Sequence, residues 1–328
     1  MTVSIRDVAR AAGVSPATVS RALGNGPVSD ALREQVQAAV QATGYRPNLS
    51  ARRLRSQRSQ TIGLIVADIR NPFFTAVARA VEAMADQAGM RVILCNTDED
   101  PGREAMYVRL MQEERVTGLI FAPTLTMIDE LRTLKLDLPV VLIDRVGPSG
   151  RYDSVVLDNR EASAQLVDHL HDQGYRRIAG LFGNTSTTGV ERHEGYVAAM
   201  ARLSLRPTAR FVAPYTEAAE TELLGWPESA ERPDAFITSN SLLLAGVIKA
   251  LRARRMAIPG DVAVAGFDNE TWTELVEPGM TVIEQPTEDI GRQAMLMLFE
   301  RLRAPEAPVR KLVLSGRCIV RGSTARSA

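Results

Sequence analysis

Cysteine is nearly missing from this 328-residue chain: there are two, Cys95 and Cys318, in no C-x-x-C spacing. A disulfide framework or a cysteine-built zinc site is therefore not expected. Histidine is as scarce, with His169, His171 and His193 alone and no H-E-x-x-H arrangement. The nucleophile elbow G-x-S-x-G, the dinucleotide fingerprint G-x-G-x-x-G and the phosphate loop G-x-x-x-x-G-K-[ST] do not occur. The chemistry those motifs support is thus not expected, and the chain reads as a non-enzyme without cofactor or metal. The run Asp98-Glu99-Asp100 reads as a solvated loop rather than a metal site. No apolar run approaches 18 residues, and no charged start leads into an apolar stretch at the N-terminus. The expectation is a cytoplasmic protein that does not enter the membrane, with the N-x-[ST] matches at Asn48, Asn184 and Asn269 arising by chance. Lysine is confined to Lys135, Lys249 and Lys311, so nearly all positive charge is arginine.

That arginine is unevenly placed. Residues 1–60 hold nine Arg against three acids, a net of +6, while the whole chain nets zero and residues 61–328 must carry −6. A basic head on an acidic body is the electrostatic footprint of nucleic-acid binding. Within the head, Ser4 to Asn25 reads as two short helices joined by a tight turn. Ile5, Val8 and Ala9 give the first an apolar face, and Gly13 can take the positive φ that the turn needs. Ser15 stands at an N-cap, Pro16 at the first helical position, and the helix continues to Leu23. With Val14, Val19 and Leu23 turned inward, Ser15, Pro16, Ala17, Thr18, Ser20 and Arg21 are left at the surface. Small side chains around one Arg suit the major groove, although an ordinary helical hairpin would carry the same pattern. A third helix runs over Val28–Thr43, with Ser29 as N-cap and Gly44 as its stop. Arg46, Arg52, Arg53, Arg55 and Arg58 then crowd around Leu54.

From Thr61 the pattern changes to alternation. Short, continuous apolar runs (Ile62–Val66, Arg91–Cys95, Gly118–Ala122, Val140–Ile143) are separated by amphipathic helices over Phe73–Ala88, Arg103–Glu114 and near Met127–Leu134. This β-α-β order requires a parallel sheet covered by helices. The cycle restarts with helix Glu161–Gln173 and strand Ile178–Phe182. Helices at Arg192–Leu203, Glu217–Leu224 and Leu243–Arg254 follow, between strands Phe211–Ala213, Ala235–Thr238 and Val262–Phe267. Two similar lobes with a cleft between them is the expected architecture. The late segments Thr281–Glu284, Glu288–Arg303 and Lys311–Leu314 read as crossovers that tie them together.

Residues 4–55 resemble the DNA-binding headpiece of the LacI/GalR family of bacterial transcription regulators. The likeness rests on the DVARAAGVSPATVSRAL run, the Val28-Ser29 helix start and the GYRPN…A-R-x-L segment of Gly44–Leu54. It implies a helix-turn-helix headpiece over 1–46, a hinge helix and linker over 47–60, and an effector-binding, dimerising body over 61–328. The body would resemble a periplasmic sugar-binding protein, with an N-lobe of about 61–157 plus 287–313 and a C-lobe of about 158–286 plus 314–328. By the same resemblance Pro16, Ala17 and Arg21 face base edges, and Ser15, Thr18, Ser20 and Asn25 position the backbone. Arg52 belongs to the basic hinge, and Leu54 is a wedge in the minor groove. The partners implied are a palindromic operator and a second copy of the chain, since two-fold dimers read palindromic half-sites; a tetramer is also compatible.

Ligands of open α/β sheets bind beyond the carboxyl ends of the strands. That rule collects Asp68, Phe73, Phe74, Asp144, Arg145, Asp158, Arg192, Tyr215, Asn240, Asp268 and Trp272. Carboxylates, amides and aromatics together suit a sugar or sugar acid. Arg192 heads an R-x-x-G-Y segment similar to the one carrying the family's ligand-binding arginine, and Asn240 matches a family position. The next residue is Ser241 where the family usually has an acid. Asp158 and Asp268 could instead cap loops, Trp272 could pack a core, and together those two acids are the one acid–base pair an enzyme could draw on. The segment Gly266–Gly291 resembles the branch of the family that senses sugar acids such as ketogluconates, with neutral sugars and purines as alternatives. A transport module would leave the basic head unexplained, and an architectural DNA-binding protein would leave the cleft unexplained.

Overall fold

The computed structural model describes residues 3–24, 26–45, 59–148, 150–226 and 232–326. It divides into two compact units, residues 1–59 and 60–328.

The first unit is three helices, α1 (Ile5–Ala11), α2 (Pro16–Leu23) and α3 (Asp30–Thr43). The Asp7 carboxylate accepts from the Ser4 backbone N–H at 2.9 Å and so closes the start of α1. Gly13 takes φ +63° in the turn, and Gly44 takes φ +64° after α3. Ser15 accepts from the Thr18 N–H at 3.1 Å, capping α2 with Pro16 at its first position. The core is built from small side chains, Val8, Ala9, Ala12, Val19, Ala22, Val36 and Ala39, with Ile5, Val14 and Leu23 packed around it. So small a core is supplemented by polar ties. Arg33 donates to the carbonyls of Ala22 (2.8 Å) and Gly26 (3.2 Å), fixing the end of α2 on α3.

The second unit has two lobes of matching design. The first sheet contains β1 (Thr61–Val66), β2 (Arg91–Asn96), β3 (Gly118–Phe121), β4 (Val140–Ile143), β5 (Asp153–Leu157) and β11 (Lys311–Leu314), in the order β11-β5-β4-β3-β1-β2. The second contains β6 (Ile178–Gly183), β7 (Thr208–Val212), β8 (Ala235–Thr238), β9 (Ala263–Phe267), β10 (Thr281–Glu284) and β12 (Arg317–Ile319), in the order β12-β10-β9-β8-β6-β7. Apart from antiparallel β12 on β10, all pairings are parallel. Helices α4 (Pro72–Gln87), α5 (Pro101–Glu113), α6 (Leu125–Glu130) and α12 (Thr287–Arg303) belong to the first lobe. Helices α7 (Asn159–Asp172), α8 (Thr187–Arg202), α9 (Thr216–Leu224), α10 (Ser241–Ala253) and α11 (Thr271–Leu275) belong to the second. Inner strands β1, β3, β4, β8 and β9 are buried along their whole length, which explains their unbroken apolar runs.

The chain passes between the lobes three times: after β5 into α7, after β10 into α12, and between β11 and β12. Helix α12 packs on α4, where a Cβ on Gly291 would come within 2.7 Å of the Val77 carbonyl. Strand β5, helix α11 and strand β12 are additions to the sequence reading. β5 opens on polar Asp153-Ser154 because Asp153 is itself buried, held by Arg301 Nε at 3.0 Å and the Arg310 N–H at 2.8 Å. Helix α8 starts five residues before Arg192, with Ser186 accepting from the Gly189 N–H as its cap. No helix among the described residues is long and apolar enough to cross a membrane.

Candidate functional site

The exposed face of α2 carries the side chains that the sequence assigned to DNA. Ser15, Pro16, Ala17 and Arg21 are exposed, while Thr18 and Ser20 are half-buried. Thr18 Oγ1 lies 2.9 Å from Ser15 Oγ and accepts from Arg21 Nη2 at 3.5 Å, so the polar face is organised along one side of the helix. Asn25, and the hinge with Arg52 and Leu54, lie outside the described residues.

In the body, the carboxyl ends of the two sheets face each other. At their centre is Arg192, 2 % exposed. Its Nε donates to Asn159 Oδ1 at 2.8 Å, Nη2 to Gln285 Oε1 at 3.2 Å, and Nη1 to the Ser239 carbonyl. Its guanidinium lies over the Phe267 ring at 3.9 Å. Burial pulls its pKa down from the usual value, opposed by the charges of Asp268 and Asp144. The R-x-x-G-Y segment now has a physical reading. A Cβ on Gly195 would come within 2.2 Å of the Arg160 carbonyl, so glycine lets α8 close onto α7 and brings Arg192 to Asn159. Tyr196 is fully buried and donates to the Ile178 carbonyl at 2.7 Å, locking the helix onto β6.

Gln285 passes this arrangement on. Its Nε2 donates to Asp268 Oδ1 at 2.6 Å, and Asp268 Oδ2 accepts from the Ser241 N–H at 3.0 Å. Asp268 and Gln285 line a cavity of about 670 Å³ whose opposite wall is Pro72, Phe73 and Ala76 at the start of α4. That volume falls in the range of small-molecule sites, roughly 300–1,000 Å³. Glu270 also lines it, and burial, together with the Asp268 charge, pushes its carboxyl up to about 7.

A second cluster lies beneath the N-lobe side. Arg145 forms an ion pair with Glu99, donates to the Pro123 carbonyl at 3.1 Å and meets Asp144 at 3.3 Å. Burial raises the Asp144 carboxyl. Thr188, on the other lobe, donates its hydroxyl to the Asp144 carbonyl at 3.0 Å. Further bonds cross the cleft: Leu125 N–H to the Thr185 carbonyl (2.9 Å), Val146 N–H to Thr187 Oγ1 (3.2 Å) and Tyr215 Oη to the Asp98 carbonyl (2.8 Å). Arg70, paired with Asp68 at 2.9 Å, lies over the Tyr215 ring at 4.9 Å.

The remaining residues singled out in the sequence are placed as follows. Phe73 lines the cavity, and Phe74 packs edge-on against it within the N-lobe core. Asp158 caps α7, accepting from the Glu161 N–H at 3.1 Å, and its neighbour Asn159 is the residue that meets Arg192. Asn240 caps α10, accepting from the Leu243 N–H at 2.7 Å. Trp272, on α11, packs against the C-lobe core. The strand-end rule reaches Asn159, beside Asp158, and Thr188, within Asn184–Gly189, without singling either out; Gln285 was missed, and Glu99, read as part of a solvated loop, is instead paired with Arg145. Gln285 was within reach: it follows β10, and the strand-end rule applied there would have found it.

A model described as bacterial regulatory proteins, lacI family, matches residues 4–48, and one for a periplasmic binding protein-like domain matches residues 167–324. The HTH-type transcriptional regulator PtxS of Pseudomonas plecoglossicida is 36 % identical over 98 % of this chain and 96 % of its own length. This chain belongs to the lacI family. The lac repressor dimer bound to operator and the anti-inducer ONPF shares its fold over 99 % of this chain and 100 % of that one, with TM-score 0.89 and 22 % identity. A periplasmic binding protein/LacI transcriptional regulator from Alkaliphilus metalliredigens, complexed with D-xylulofuranose, matches at TM-score 0.70 and 26 % identity, covering 81 % of this chain and 99 % of that one. As a lacI-family member the chain is a helix-turn-helix, DNA-binding transcriptional regulator, with α2 as its second helix.

Proposed function

We propose that this regulator is a cytoplasmic repressor that binds a palindromic operator as a homodimer and is controlled by a sugar or sugar acid held between its lobes. The observation that carries the effector is the buried chain Asn159–Arg192–Gln285–Asp268 ending at an open cavity. Paired polar groups of this kind hold hydroxyls in a fixed direction, and the Phe73 ring supplies the apolar cover that one face of a sugar ring needs. In a sugar acid the carboxylate would take over the Gln285 position on Arg192. The likeness to a regulator complexed with D-xylulofuranose supports a carbohydrate as the ligand. The bonds that cross the cleft make lobe closure the element a ligand can bias. It can do so only by its difference in affinity for the two states, of about 1–3 kcal/mol.

The test is operator binding by fluorescence anisotropy, with and without each member of a panel of sugars, sugar acids and purines, alongside thermal unfolding. Binding to the native state raises the unfolding midpoint. A compound that raises it should also change operator affinity by about 5–150-fold. Log K for the operator should fall with log salt at about −0.9 per phosphate neutralised. If no panel member moves either the midpoint or operator affinity, the effector reading fails.

A further inference from the structure

We infer that Arg33 and Gly26, which lie outside α2, set the base discrimination of the headpiece by fixing the orientation of Arg21. The inference rests on α2 being the helix that enters the major groove. Arg21 is the one charged side chain on α2, whose sequence is PATVSRAL, and it is exposed. It is therefore the one residue of that helix that can present a fork of charged donors to a guanine edge. Two contacts restrain it. Its Nη2 donates to Thr18 Oγ1 at 3.5 Å. Its stem packs on the Gly26 backbone, where an added Cβ would fall 3.1 Å from Arg21 Cβ and 3.2 Å from its Cα and Cγ. The Gly26 N–H also donates to the Arg21 carbonyl at 2.9 Å, so Gly26 touches both the main chain and the side chain of Arg21.

Arg33 holds Gly26 in that place. Reaching back from α3, its Nη1 donates to the Ala22 carbonyl at 2.8 Å and its Nη2 to the Gly26 carbonyl at 3.2 Å. One guanidinium thus ties the last turn of α2 to the residue that borders Arg21. A planar fork grips two carbonyls in a fixed geometry, whereas the ammonium of a lysine is a point charge on a flexible stem. Arg33 is half-buried, and among the described residues it pairs with no carboxylate, so its structural role runs through these two carbonyls. The consequence for recognition is one of preorganisation. A long side chain that is free in solvent must be ordered when it meets a base, and it can settle on more than one. A stem confined beforehand loses less freedom and favours one base pair over its neighbours. Without the link from Arg33 through Gly26, Arg21 keeps its charge and its donors but not its aim.

The experiment uses the full-length protein and a duplex that it selects from a randomised library. Fluorescence anisotropy gives the affinity for that duplex, for each of its single base-pair substitutions and for a random duplex, over a range of salt. Arg21→Ala first marks the base pairs that Arg21 reads, where discrimination should fall by roughly 5–150-fold, the range of one bidentate contact. Arg33→Lys keeps the charge, and Gly26→Ala crowds the Arg21 stem. Each should lower discrimination at those same base pairs by about threefold or more, while the other positions, the random duplex and the salt slope stay as in the native protein. Thermal unfolding reports whether each headpiece is folded; if Arg33→Lys is not, Gly26→Ala, which leaves Arg33 and the headpiece core in place, decides. Equal relaxation at every position would make the link a support of the fold alone and overturns the inference, as does unaltered discrimination at the base pairs marked by Arg21→Ala. Native discrimination in Arg33→Lys together with a salt slope about one lower in Arg33→Met would make Arg33 a phosphate contact, and overturns it as well. If Arg21→Ala relaxes no position, Arg21 is not a base reader and the inference falls with that assignment.

Discussion

Glu104 offers the sharpest test of the electrostatics under the cleft. It lies on α5, fully buried, and accepts from the Thr124 N–H at 2.7 Å and the Thr124 hydroxyl at 2.5 Å. Of the charges around it, Arg145 attracts and Glu99 repels, and burial dominates, so its carboxyl is pushed from 4.5 up to about 7. The sign of the stability effect follows. Below about pH 4.5 folded and unfolded chains both hold the proton, and the group contributes nothing. Between 4.5 and 7 the unfolded chain releases it while the folded protein keeps it, so stability falls as pH rises. Each pH step of one across that window costs about 1.36 kcal/mol, so the loss by pH 7 is about 3 kcal/mol, and it stays constant above that. Glu104→Gln replaces the carboxyl with a neutral group that keeps both an acceptor for the Thr124 N–H and a donor for its hydroxyl. Urea or thermal unfolding of the two proteins at steps from about pH 4.5 to 8 isolates the effect. Glu270 and Asp144, also raised, are common to both and cancel in the difference. The variant should gain on the native protein by about 3 kcal/mol across that range, nearly all of it below pH 7.5. Parallel stability curves for the two proteins would refute the argument.

Three further outcomes are expected, two from the structure and the one at Leu54 from the resemblance of the hinge segment. Arg192→Ala removes three donated bonds and the contact with Phe267. The body should lose about 3–5 kcal/mol of stability and its effector response, while operator binding persists; a normal response would take Arg192 out of the site. Leu54→Ala should weaken specific operator binding far more than binding to random duplex, because an inserted wedge acts only where the duplex is kinked. Equal losses on both DNAs, measured by anisotropy, would sink that assignment. Tyr215→Phe deletes the bond from Tyr215 Oη to the Asp98 carbonyl between the lobes. It should cost about 1 kcal/mol and lower the midpoint of the body by a few degrees; an unchanged midpoint would mean that this contact does not hold the lobes together.

Much of the head was readable because its signals are local. Ser15 before Pro16, Gly13 in the turn and Gly44 after α3 act within three or four residues of themselves, and each sits where the backbone demands it. The inner strands were readable for a different reason: a strand buried on both faces has to be apolar throughout. Strand β5 escaped because its buried Asp153 is neutralised by Arg301 and held by the Arg310 backbone N–H, both far along the chain. The short helix α11 and strand β12 are three to five residues long, too few for a period to show.

By itself, the sequence determined the class of the protein. The uneven arginine, the helix-turn-helix pattern and the twice-repeated β-α alternation specify a DNA-reading head on a two-lobed body, and each is written in composition or short-range spacing. It also nominated Arg192, through a motif whose glycine and tyrosine are needed to seat it. What Arg192 faces was decided only by tertiary structure. Asn159, Ser239, Phe267 and Gln285 lie between 33 and 93 positions away in the chain, and the lobe crossing after β10 is what delivers Gln285 to both Arg192 and Asp268. Asp158 and Asn159 show the same division at closest range. Both are polar neighbours at the start of one helix, yet one caps the backbone and the other enters the cleft. Only the direction of the helix, set by its packing on α8, separates the two roles.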